Sequence, residues 1–169
     1  MNNLESLKDI IENYSEELQY LSSSEIEKFQ ALLEDIRNNP KTIWDLKIEN
    51  SKEYYHLNWE GGVVRGAFNH NIDKQAREIG NAFLTKEEAE FELERRKVET
   101  VMRKYSRPFK CSENNYYIEY DHFTKNISID FLHTYNCGVI FFESKEIARK
   151  VVDEIGEDRL KEYWFGINS

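Results

Sequence analysis

Cysteine is nearly absent from the chain. Cys111 and Cys137 are the whole supply in 169 residues, too few for a disulfide framework and suited to a reducing compartment. No apolar run approaches the roughly 20 residues needed to cross a bilayer, and the opening MNNLESLKD lacks the basic-then-hydrophobic order of a secretion signal. The expectation is a cytoplasmic protein with no membrane partner. Glycine occurs seven times and never as a phosphate-cradling loop: Gly61-Gly62 and Gly80 are turn residues with no P-loop Lys-Ser/Thr behind them. Basic charge is also short. There are 23 Lys and Arg against 32 Asp and Glu, a net charge of −9, so the chain repels phosphate backbones and nucleic acid is a disfavoured partner.

Large apolar side chains are not short. Ten Phe, ten Tyr and three Trp supply a core although 33% of the residues are charged, which excludes a disordered chain. The acidity is uneven: residues 1–39 hold nine acids against three bases, residues 40–105 twelve of each, and residues 106–169 eleven against eight. That pattern suits solubility, or docking on a basic protein surface.

The most legible stretch is GNAFLTKEEAEFELERRKVETVMRKY, Gly80 to Tyr105. Thr85 with Glu88 three residues on makes a capping box. Glu87, Glu88 and Glu90 sit at the positive end of the helix dipole and Arg103 and Lys104 at the negative end. Pro108 stops the run. At 100° per residue, Phe91, Val98, Val101, Met102 and Tyr105 share a face, and Ala89 and Leu93 lie nearly opposite. Two apolar stripes predict a helix packed on both sides, the central pillar of the fold.

Before it, Leu4, Leu7, Ile11, Tyr14, Leu18 and Leu21 alternate by three and four. Ser22-Ser23-Ser24 interrupts that seam, and Ser24 with Glu27 caps a second helix with the stripe Ile26, Phe29, Leu33, Ile36. The two read as an αα-hairpin that covers the rest of the fold; the alternative is a seam that pairs with a second protomer in a homodimer. Trp44 and Leu46 read as an added strand or lead-in. YYHLNW, a Glu-Gly-Gly turn and VVRGAF then form a β-hairpin signature over Tyr54 to Phe68, Asn69 to Glu78 reads as a polar loop, and Ile79 to Leu84 as a strand feeding the long helix. After Pro108, NYYIEYD (Asn115 to Asp121) and NISIDF (Asn126 to Phe131) form another hairpin. His133 to Gly138 is a loop and VIFF (Val139 to Phe142) a short strand. Ser144 caps a helix bearing Ile147, Ala148, Val151, Val152 and Ile155, and EDRLKEYWFGI ends in the aromatics Tyr163, Trp164 and Phe165.

The halves align. AFLTKEEA (Ala82 to Ala89) matches FFESKEIA (Phe141 to Ala148) at an offset of 59, and Tyr54-Tyr55 matches Tyr116-Tyr117 at 62. The fold expected is therefore α+β: an N-terminal αα-hairpin (residues 1–39), then two tandem ββ(β)α units (40–107 and 108–169) packed around one long central helix.

Catalytic patterns are sparse. Asp130, Glu143 and Lys145 imitate the two carboxylates and lysine of metal-dependent nucleases, but Glu143-Ser144-Lys145 aligns with Leu84-Thr85-Lys86, so the shared feature is a helix cap. Cys111, His122, His133 and Cys137 have gaps of ten, ten and three residues, unlike the close ligand pairs of zinc sites. Asp121-His122 has no nucleophile placed to use it, and neither cysteine opens a helix, where its thiolate would be favoured. No metal, cofactor or catalytic residue is assigned. The candidate binding residues are Glu12, Glu16 and Glu17 on the acidic hairpin and Tyr163 and Trp164 at the aromatic end, since aromatic residues concentrate binding energy.

The stretch from Tyr54 to Lys97, a hairpin ending in G-x-x-F-x-T-K-E-E-A, resembles the arm-binding N-terminal domain of tyrosine integrases. That resemblance implies a sheet laid in the DNA major groove, but this sheet carries Arg65 as its one obvious base beside Glu53 and Glu60. IGNAFLTKEEAEFELERRKVE, YYIEYDH and IGEDRLKEYWFGI resemble a group of small phage and prophage proteins of Gram-positive bacteria, which implies a bacterial cytoplasmic setting and an accessory role. The functional expectation is a non-enzymatic phage accessory that binds a host protein with a basic surface, such as a defence or nucleic-acid-handling enzyme, in the anti-CRISPR or another anti-defence manner. The alternatives are a nucleic-acid-binding regulatory module that uses its β-sheets and a metal-dependent nuclease.

Overall fold

The computed structural model describes residues 40–167 together with Lys28, Gln30 and Ala31. The αα-hairpin, the Leu4–Leu21 seam and Glu12, Glu16 and Glu17 lie outside the described residues. The chain divides into two units, Met1–Asp45 and Leu46–Ser169. In the first, a 3-10 turn spans Ile43–Asp45. Asp45 caps it by accepting from the N–H groups of Thr42 (2.8 Å) and Lys41 (2.9 Å), which holds its carboxyl below the usual range. This turn and a second at Ile48–Asn50 make the stretch around Trp44 and Leu46 a lead-in and not an added strand.

In the second unit, β1 (Glu53–Leu57) and β2 (Val63–Ala67) pair antiparallel with Tyr55 opposite Arg65. Asn58 closes their turn by accepting from Gly62 N–H at 2.7 Å, and Gly61 supplies φ +81°. Then come α1 (Asn71–Glu78) and α2 (Lys86–Tyr105). β3 (Asn115–Asp121) and β4 (Asn126–Leu132) form the second hairpin, with Tyr116 opposite Phe131. It is followed by α3 (Lys145–Ile155), a single turn α4 (Glu157–Arg159), and a π-helical turn over Leu160–Trp164. The fold is α+β with two hairpin-plus-helix units.

The repeat extends to single hydrogen bonds. Tyr55 and Phe83 exchange two backbone bonds of 2.9 Å each, and Tyr116 and Phe142 exchange two of 3.3 and 2.8 Å. The third strand is thus reduced to isolated bridges: Phe83 alone in the first repeat, and in the second Phe142 with its neighbour Phe141, which accepts from Arg107 N–H at 2.9 Å. In the first repeat the Asn81 side chain extends the pairing, accepting from Leu57 N–H (3.1 Å) and donating to Leu57 C=O (2.9 Å) in place of the next backbone pair. Thr85 caps α2 and Ser144 caps α3, each accepting from the N–H three residues on. Ala89 and Ala148, both fully buried, follow at the same spacing. The offset of 59 therefore holds from bridge to helix. The aromatic pair needs a correction: the bridges equate Tyr55 with Tyr116, an offset of 61 rather than 62.

α2 is buried on two sides, as its stripes predict, except that Phe91 at the start of the first stripe is 39% exposed. It packs on β1 and β2, on α3 and on the C-terminal turn, with Ala89 at 0% and Val98 and Met102 at 1% exposure. Val98 and Met102 belong to the same core as Ile118, Ile127, Phe142, Val151, Val152 and Leu160, so the core of the second hairpin-plus-helix repeat is completed by the helix of the first.

The segment read as a loop, Asn69 to Glu78, is a helix from Asn71 onward. Its polarity is inverted. Asp73 is the buried residue, while Ile72 and the following Ile79 are 69% and 77% exposed. Asp73 accepts from Tyr54 Oη (2.7 Å) and from the N–H groups of His70 and Asn69 (2.8 and 2.9 Å). Arg77 covers the Phe68 ring at 5.1 Å and donates to Leu46 C=O at 3.0 Å. A helix held by its polar side gives no apolar stripe to read.

Candidate protein-binding surface

The two hairpins end in exposed aromatic side chains. Trp59, in the β1–β2 turn, is 92% exposed, and Phe123, in the β3–β4 turn, is 99% exposed. Burying either ring would stabilise the fold, so an aromatic residue left in water at a rigid tip is the informative observation. Both turns are built firmly. Asn58 locks the first. In the second, Asp121 accepts from Phe123 N–H and from Thr124 Oγ1, each at 2.8 Å, and Lys125 takes φ +58°. The Thr124 hydroxyl and the backbone N–H hold the Asp121 carboxyl below its ordinary value, so an anion sits beside Phe123; Glu60 follows Trp59 in the sequence of the other turn.

One face of the second hairpin continues this acidity. Glu119 accepts from Tyr117 Oη and Ser128 Oγ at 2.8 Å each. Burial first, then the neighbouring Glu119 carboxylate, pushes the Tyr117 phenol up to about 12. Asp130, opposite Tyr117 on β4, is exposed on the same side. By contrast, the acids of α2 are matched by its own bases. Arg95 binds Glu92 (2.6 Å) and Glu99 (3.1 Å), Arg96 binds Glu92 (2.8 Å), Lys97 binds Glu94 (2.6 Å), and Arg159 reaches Glu94 from the C-terminal turn (2.7 Å). Arg95 holds the Glu92 carboxyl below its usual value.

Tyr163 and Trp164 are half-buried on the π-helical turn against the shared core, and the Tyr163 ring lies 5.4 Å from that of Phe91. Asp130 accepts from Phe131 N–H at 2.8 Å. Glu143 follows the Phe142 bridge, on the far side of β3 from Asp130, and Lys145 opens α3. Among the described residues no three of His, Cys, Asp and Glu are grouped to hold a metal ion. Cys111 and Cys137 are exposed free thiols. His122 packs edge-on to Tyr120 at 5.1 Å, and His133 hydrogen-bonds Asn114 at 2.7 Å. An open depression along α3 is lined by Lys145, Glu146, Arg149, Lys150 and Asp153, a mixed surface rather than a basic one. No helix among the described residues is long and apolar enough to cross a membrane.

No family model, curated protein or solved structure matches this chain. The hairpin tips escaped the sequence reading because Trp59 continued an aromatic strand run and Phe123 stood alone in a polar turn. The signal that marks them is position: each lies between the last paired strand residue and the turn's glycine or left-handed residue.

Proposed function

We propose that the protein acts by binding another protein, one with a basic surface, through its aromatic hairpin tips and acidic flanks. The observation that carries this reading is the pair Trp59 and Phe123, almost wholly in water at locked turns, with Asp121 bonded to the Phe123 N–H and Glu60 following Trp59 in sequence. An aromatic face and an adjacent anion together match an arginine or lysine side chain. The ring attracts the cation by its quadrupole and the carboxylate pairs with it. The net charge of −9 adds long-range attraction to such a partner. The resemblance to phage and prophage proteins makes the proposed setting the bacterial cytoplasm and the proposed partner a host defence or nucleic-acid-handling enzyme, whose basic groove this chain would occupy in competition with nucleic acid. In this reading the chain inhibits and catalyses nothing itself. The nucleic-acid-binding alternative is less well supported: Arg65 is ion-paired to Glu53, and Tyr117, Glu119, Ser128 and Asp130 make the exposed face of the second sheet acidic.

Capture from a bacterial host lysate on the immobilised full chain tests this. The expected result is a basic protein whose recovery falls with added salt and is lost in the Trp59→Ala, Phe123→Ala double variant. Recovery unchanged by that variant would remove the tips from the reading. Recovery unchanged by Lys at Glu12, Glu16 and Glu17 would remove the proposed role of the acidic N-terminal residues. Retention of duplex DNA or RNA at ~50 mM salt, with no protein recovered, would favour the alternative.

A further inference from the structure

The two hairpins have equivalent outer strands, and only one of them is guarded. Tyr116 commits its N–H and C=O to Phe142. By the alternation of an antiparallel ladder, its neighbours Asn115, Tyr117, Glu119 and Asp121 therefore turn theirs toward β4, where they face Leu132, Asp130, Ser128 and Asn126. That leaves the backbone groups of Ile127, Ile129 and Phe131 pointing off the sheet. The Phe131 N–H shows this directly, donating to the neighbouring Asp130 carboxylate at 2.8 Å rather than to a strand. Among the described residues β4 pairs with β3 alone. Its seven residues carry one charge and no lysine or proline, and Phe131 is 43% exposed. These are the features of an unprotected edge.

We propose that β4 pairs antiparallel with β4 of a second copy of this chain about a two-fold axis at Ile129, joining the two sheets edge to edge. The strand is self-complementary in that register. Ile129 faces the partner's Ile129 and Ile127 faces the partner's Phe131, and these are the residues whose backbone groups point off the sheet, the Phe131 N–H exchanging its bond to Asp130 for one to the partner strand. Ser128 faces the partner's Asp130, so the lone charge of the strand is not set directly against its own copy. The first hairpin shows the contrast. Tyr55 commits its backbone to Phe83, so the outward residues of β2 are Val63, Arg65 and Ala67. A two-fold axis at the centre of that strand would set Arg65 against the partner's Arg65, a like-charge pair directly opposite. Arg65 faces Tyr55 as Phe131 faces Tyr116, so the duplication carries a guard on one edge and a phenyl ring on the other.

Sedimentation of the full chain over a concentration series, with amide hydrogen exchange read at each concentration, tests the pairing. The expected result is a monomer–dimer equilibrium in which the amides of Ile127, Ile129 and Phe131 slow as the dimer forms, while those of Val63, Arg65 and Ala67 do not. Phe131→Arg, which places a guanidinium on this edge, is expected to weaken the dimer about tenfold or more because the two-fold repeats the change. Should that variant fail to fold by circular dichroism, the wild-type exchange pattern decides alone. A chain that stays monomeric would overturn the proposal. So would a dimer whose β4 amides exchange as fast as the monomer's, or one that Phe131→Arg leaves intact and Leu18→Lys dissolves.

Discussion

Among the described residues Asn115 has the most hydrogen-bond partners of any side chain. It is wholly buried, its Oδ1 accepts from Arg107 Nη1 (2.9 Å) and Lys110 N–H (2.8 Å), and its Nδ2 is directed to the carbonyls of Lys110, Glu113 and Leu132 at 2.9, 2.9 and 3.2 Å. One amide thus organises the turn that brings the chain from α2 into β3. Asn115→Ala strands several of those groups without water, and a loss of about 3 kcal/mol is expected, measured as a lowered urea midpoint with unchanged m. Tyr54 holds the equivalent place in the first hairpin, opposite Gly66 as Asn115 is opposite Leu132. Its ring leaves no room for a side chain there, since a Cβ at Gly66 would come within 3.0 Å of Tyr54 Cε1. The ring is fixed by its bond to Asp73, so Gly66→Ala is expected to cost about 1–3 kcal/mol. Burial alone would raise the Asp73 carboxyl, but the bonds from Tyr54, His70 and Asn69 outweigh it and the net displacement is downward. A depressed carboxyl stabilises the fold above its unfolded-state value of about 3.9, and that contribution is lost as pH falls through the lower folded value. Asp73→Asn should therefore lower stability at pH 7 and flatten the acid limb below about pH 4, in urea titrations at several pH values. None of this was readable in the letters. Asn115 looks like the exposed first residue of a strand and Asp73 like part of a polar loop, because their partners are distant in sequence.

At the scale of elements, what the sequence showed best were features closed within four residues. The Thr85–Glu88 box, the Ser144 cap, the two stripes of α2 and both hairpin turns depend on local spacing, and all are present. α1 was lost because tertiary bonds to Tyr54, Phe68 and Leu46, not an apolar stripe, hold it in place. The third strands are shorter than expected for a related reason: apolar runs such as VIFF mark burial, and isolated bridges bury them as well as a ladder would. The two caps allow a paired comparison. Thr85 shares a box with Glu88, whose carboxylate accepts from Thr85 N–H (3.3 Å) and Leu84 N–H (3.0 Å), whereas Ile147 stands at the equivalent place after Ser144. Thr85→Ala and Ser144→Ala should each cost about 1 kcal/mol. Glu88→Ala should add a further few tenths for α2, and no counterpart at Ile147 can contribute in this way. Thermal denaturation of the three variants, compared at the wild-type midpoint, measures the differences.

For the whole molecule, the location of unbalanced charge matters more than the total. α2 is rich in acids, but Arg95, Arg96, Lys97, Arg103 and Arg159 neutralise them at short range, so they contribute little field beyond the surface. Among the described residues Glu119, held by two hydroxyls and no cation, and Asp121 at the tip of the second hairpin lack that compensation. If the proposed partner is basic, these two kinds of acid should behave differently in binding. Replacing the Glu119 and Asp121 carboxylates by amides should slow association and reduce its salt dependence, with a smaller effect on dissociation. Trp59→Ala and Phe123→Ala should act the other way, speeding dissociation by roughly tenfold or more each, since buried aromatic anchors dominate the energy of an interface and affinity differences lie mostly in dissociation. Surface-plasmon kinetics with the captured partner at several salt concentrations separate the two effects. A uniform loss in both groups would mean that the second hairpin folds less well without its carboxylates. A loss confined to the aromatic variants would leave the tips as anchors and assign the electrostatic attraction to another part of the chain.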